Sequence, residues 1–79
     1  MERFVGRHKG DLSLTNDLEI MGLVNGSVTV PAGKFLRLRG RITGDLIIQS
    51  QGLAAIHGTV AGTVVNHGAD VEILGKVGD

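Results

Sequence analysis

The chain has 79 residues, 8 basic against 8 acidic side chains and no cysteine. A chain this short makes one small domain; a disulfide framework and a thiolate metal site are excluded. Balanced charge leaves no electrostatic footprint for nucleic acid, and with no Trp or Tyr and only two Phe there are no stacking platforms for bases either.

The N-terminal segment MERFVGR carries charges but no long apolar run, so it does not read as a secretory signal. No stretch of about 18 apolar residues predicts a transmembrane helix, and the expected location is the cytoplasm. Residues 1–7 are expected to act as a cap, with Phe4 and Val5 lying across the first turn. Residues 8–79 then form the rest of a single domain.

From residue 7 onward the sequence repeats. RHKGDLSLTNDLEIMG (7–22) is followed by LVNGSVTVPAGKFLRLRG (23–40), RITGDLIIQSQGLAAIHG (41–58) and TVAGTVVNHGADVEILG (59–75), with KVGD (76–79) opening another copy. Such a repeat marks a solenoid, in which no single copy can bury its apolar face alone. Within 23–40, Val24, Val28 and Val30 alternate with Asn25, Ser27 and Thr29, the period of a strand with one buried face. Gly26 bends that run, PAGK (31–34) reads as a turn, and Leu36 and Leu38 alternate with Arg37 and Arg39 in a second strand ended by Gly40.

Stacking the copies generates aliphatic columns: Val24, Ile42, Val60, Val77 with His8 at their head; Leu12, Val28, Leu46, Val64; Leu14, Val30, Ile48, Asn66; Leu18, Leu36, Ala54, Val71; and Ile20, Leu38, Ile56, Ile73. Glycines fall into two columns of their own, and frequent Gly with β-branched core positions rules out helices. The predicted fold is therefore all-β: a single-stranded parallel β-helix of about four rungs of 16–18 residues, right-handed by preference. Rungs about 4.8 Å apart would make a prism roughly 20 Å tall. Some aliphatics are six residues apart, as in the left-handed β-helix of hexapeptide acyltransferases. The unequal copy lengths break a strict hexad.

The text VNGSVTV, ITGDLII, VAGTVV and VEILGKVGD, in rungs of 17–18 residues, resembles the bactofilins, a family of bacterial cytoskeletal proteins. The resemblance covers roughly residues 8–79 and rests on the repeat pattern. It implies a right-handed β-helix that polymerises end to end without nucleotide. The chain departs from that family in having few rungs and no disordered tails.

No catalytic set is legible. His8, His57 and His67 fall in different columns and do not converge as metal ligands must. Asn66, His67 and Asp70 read as a polar corner. Asp11, Glu19, Asp45, Asp70 and Glu72 are outward by phase, and Glu19 beside Arg37 reads as a surface pair. Lys34, Arg37, Arg39 and Arg41 form the one basic cluster, read as a solvated strand face. There is no nucleophile elbow, P-loop or dinucleotide fingerprint. The chain is accordingly expected not to be an enzyme and to take no metal or cofactor.

The off-pattern positions are apolar. The outward column Ser13, Thr29, Ile47, Val65 turns aliphatic in later rungs, with Ala61 alongside, and a further column reads Asp17, Phe35, Leu53, Asp70. Exposed apolar area of this kind marks interaction surfaces, although the phase leaves it open whether Phe35 and Leu53 point inward. At the last rung, Val71, Ile73 and Val77 have no legible polar cover, which terminal repeats normally carry. The candidate interface is therefore Ile47, Val65, Ala61, Phe35, Leu53, Val71, Ile73 and Val77. Three readings follow. One is a structural protein that forms homo-oligomers through rung ends or the apolar face. Another is a small protein-binding module of inhibitor or immunity type. The third is a hexapeptide-type acyltransferase.

Overall fold

The computed structural model describes residues 2–78, an all-β chain wound into a parallel β-solenoid of about four turns. Each turn contains three short strands. The first holds β1 (Glu2–Phe4), β2 (Arg7–Lys9) and β3 (Leu12–Ser13), and the second β4 (Leu18–Ile20), β5 (Leu23–Asn25) and β6 (Val28–Val30). The third holds β7 (Phe35–Leu38), β8 (Arg41–Ile42) and β9 (Leu46–Ile48), and the fourth β10 (Leu53–Ile56), β11 (Thr59–Val60) and β12 (Val64–Asn66). Two further strands, β13 (Asp70–Ile73) and β14 (Lys76–Val77), begin a fifth.

Strands stack in three parallel sheets, ordered β1-β4-β7-β10-β13, β2-β5-β8-β11-β14 and β3-β6-β9-β12. The run 24–30, expected as one bent strand, is two strands on different faces. At Gly26 and Ser27 the chain turns a full corner, so the prism is triangular.

The registers reproduce the columns. His8, Val24, Ile42, Val60 and Val77 are successive partners in the second sheet, and Ile20, Leu38, Ile56 and Ile73 in the first. Val24, Ile42, Val60, Ile20, Leu38 and Ile56 have no exposed surface. Fully burying one such side chain contributes about 1.5–3 kcal/mol. Here the gain exists only because the rung above and the rung below close over it.

The N-terminal segment extends the stack instead of lying across it. Glu2, Arg3 and Phe4 pair in parallel with Leu18, Glu19 and Ile20, so Phe4 heads the Ile20 column and Val5 is 70% exposed. Alternation places Arg3 outward between Glu2 and Phe4, which is a strand pattern too short to separate from noise in the sequence.

Corners require glycine for closeness. Gly6, Gly22, Gly40 and Gly58 offer their carbonyls to the amides of Leu23, Arg41, Thr59 and Lys76 one rung on, at 2.8–3.0 Å. A Cβ at Gly40 would fall on the Gly22 carbonyl oxygen, and one at Gly58 on that of Gly40. The other corner is held by side chains. Asp11 accepts from Ser27 N–H (2.9 Å), Ser27 Oγ accepts from Asp45 N–H (3.1 Å), and Asp45 accepts from Thr63 N–H (2.9 Å). These carboxylates cap a neighbouring rung's amides, a role the sequence reading did not assign them. The signal lay in their spacing of 16–18 residues from the amides they accept.

Candidate interaction surfaces

Two kinds of surface stand out: the ends of the prism and the outer face of the first sheet. At the C-terminal end the inward column loses its cover. Ile56 is fully buried, but Ile73, its partner one rung on, is 50% exposed. Val71 and Val77, which follow Ala54 and Val60, are half-buried. Among the described residues, nothing closes over these three side chains. The opposite end holds a hollow of about 510 Å³ lined by Phe4, Leu12, Leu14 and Leu18, with Glu2 and Arg3 at its rim. The two ends differ in character. Glu2, Phe4 and His8 occupy inward positions at the first rung, whereas Val71, Ile73 and Val77 occupy the matching columns at the last.

Phe35 and Leu53 point outward. They are register partners on the outer face of the first sheet, Leu53 is 43% exposed, and the adjacent Leu36 and Ala54 face the core. Beside them Ala55 leaves a depression of about 300 Å³, bounded by Phe35, Leu53, Asp70 and Glu72. Ile47 and Val65 are register partners on the third sheet's outer face, both half-buried, as is Ala61 at a corner of the Val65 rung.

Glu19 is not a surface pair. Its column runs Arg3, Glu19, Arg37, Ala55, Glu72, outward as expected, yet Glu19 is only 6% exposed. Three arginines cover it: Arg3 Nε donates to Oε1 at 3.1 Å, and the NH1 groups of Arg37 and Arg39 lie 3.7 Å from Oε2. The unforeseen strand β1 supplies Arg3 and completes the cover. Arg37 also lies over the Phe35 ring, 6.0 Å from its centre, within cation–π range.

The histidines do not converge. His8 packs edge-on to Phe4, with ring centres 6.1 Å apart, and its Nδ1 lies 3.3 Å from the Gly10 carbonyl oxygen. His57 and His67 are exposed and lie on separate segments. Asn66 caps the turn that follows it, its Oδ1 accepting from Ala69 N–H at 2.6 Å, which is ordinary Asx-turn chemistry. Among the described residues no cluster of three His, Cys, Asp or Glu side chains is placed to hold a metal ion. Among the described residues no helix is long and apolar enough to cross a membrane.

Fold and surfaces together define a parallel β-solenoid repeat protein. Comparison with family models, curated proteins and solved structures finds no match to this chain.

Proposed function

We propose that the protein is a non-enzymatic structural element that self-associates through the ends of its ladder. This is the scaffold role that the bactofilin resemblance implies, in a cytoplasmic setting. One observation carries the reading: Ile73 is half exposed at the end of a column in which Ile20, Leu38 and Ile56 are fully buried. Terminal strands add a second driving force. Among the described residues their outer backbone groups have no neighbouring strand, and an unpaired strand edge is a template for another chain. A copy set against the C-terminal end would bury Val71, Ile73 and Val77 and satisfy those groups together.

Light scattering after size exclusion, across a concentration series, tests this. Mass should grow with concentration, and Val77→Asp should abolish the growth while the circular dichroism spectrum stays unchanged. A Val77→Asp protein that assembles as before would overturn end-to-end contact. A protein-binding module is the second reading, supported by the half-buried pair Ile47 and Val65 on a different face.

A further inference from the structure

The outer face of the first sheet has its charges sorted by rung. Three guanidiniums, on Arg3, Arg37 and Arg39, surround one carboxylate, Glu19; counting exposed Asp17, which lies below Phe35, the first three rungs keep a net positive charge. Strand β13, two rungs beyond β7, presents Asp70 and Glu72, and among the described residues neither has a cationic partner. Between them β10 presents only Leu53 and Ala55, with exposed His57 just after it. The face is thus net positive at one end, acidic at the other, and apolar in the middle.

We propose that this face docks a second copy of the chain in antiparallel fashion, about a two-fold axis running along β10. Such an axis reverses rung order but keeps position along the strand. Arg37 then faces Glu72 of the second copy, and Glu72 faces its Arg37, so each pair forms twice. Leu53 meets Leu53, and Ala55 meets Ala55 where the depression allows close approach. Placing the axis along the prism instead would set Arg37 against Arg37, so the charges select the antiparallel arrangement. Among the described residues no other outer face of the prism segregates its charges in this way. In the second sheet the outward column reads Arg7, Leu23, Arg41, Thr59, Lys76, which is basic at both ends.

With the axis along β10 only β7, β10 and β13 of each copy overlap, an area of about 13 by 10 Å from strand length and spacing. That is well below the area of stable specific interfaces, so the dimer is weak and transient, and its ion pairs make it salt-sensitive. The contact is lateral and does not depend on the stacking of prism ends.

Because the chain has no cysteine, crosslinking gives a clean test. Ala55→Cys lies on the proposed axis, and Thr59→Cys on the second sheet is the control. A short bismaleimide should trap Ala55→Cys as a covalent dimer much faster than Thr59→Cys, and 0.5 M salt should suppress the difference. Glu72→Lys, a change on an end strand remote from Glu19, should weaken dimerisation at least tenfold by sedimentation equilibrium. Equal trapping of the two cysteine variants, or a Glu72→Lys protein that dimerises as before, would overturn the proposal.

Discussion

Two residues behave against type, and each has a local physical reason. Gln51 has φ of 68°, the left-handed region that L side chains avoid. Its amide neighbourhood explains why it stays there: the Gln51 carbonyl accepts from Gly33 N–H at 3.1 Å, tying two successive turns together. Gly33 and Gly68, in the turns before and after, have φ of 77° and 84° without that cost. Gln51→Gly should therefore stabilise the fold. The left-handed penalty of about 1–2 kcal/mol is partly offset by the extra chain entropy of glycine, leaving about 0.5–1 kcal/mol. Thermal unfolding should report it as a rise of several degrees, and an unchanged or lower midpoint would count against the argument. Glu19 is the other case. Phase correctly placed it outward, but burial came from long side chains folding over it, and the reach of Arg3, Arg37 and Arg39 is invisible to a pattern of alternation.

At the scale of the strand, the rung-to-rung hydrogen bonds and the corners set the register together. Strands of two to four residues are too short to hold a register alone. The glycine carbonyl ladder and the Asp11–Ser27–Asp45–Thr63 series each act once per rung and fix the same spacing. Gly40→Ala should consequently be among the most damaging small substitutions. Its Cβ meets backbone, which cannot swing away as a side chain can, and overpacking of this kind typically costs about 1–3 kcal/mol or more. Denaturant unfolding is the measurement, and Gly33→Ala makes an instructive comparison: its Cβ would meet nothing within 4 Å, so any loss there is conformational alone.

The columns themselves were legible in the sequence, because five sheet positions sampled four or five times leave little ambiguity. Less visible were the third strand of each rung and the participation of residues 2–4. Both depend on how sharply the chain turns at a glycine, and the sequence marks where a turn falls but not its angle. The outward direction of Phe35 and Leu53 was open for a similar reason. A turn of four residues precedes Phe35, and its path decides the phase of everything after it.

For the whole molecule, the two association modes use separate surfaces and should be separable. End stacking depends on Val71, Ile73 and Val77 at the open rung, whereas lateral docking depends on charges on one flat face. The double variant Val77→Asp, Ala55→Cys should still crosslink as the single cysteine variant does, while its mass no longer grows with concentration. Loss of both behaviours together would mean that one surface serves both. A protein with both contacts intact builds a double row of prisms, stacked end to end and paired side to side, a geometry suited to a scaffold.

What the sequence determined by itself was the repeat, the inward columns and hence the parallel solenoid, since a period of about 18 residues with aligned aliphatics can be buried in few other ways. What only the tertiary structure decided was which side chains share a surface. The sorting of Arg3, Arg37 and Arg39 against Asp70 and Glu72 spans nearly the whole chain in sequence but about four strand spacings in space. Winding brings distant rungs onto one face, and the charge pattern of that face exists only once they are wound.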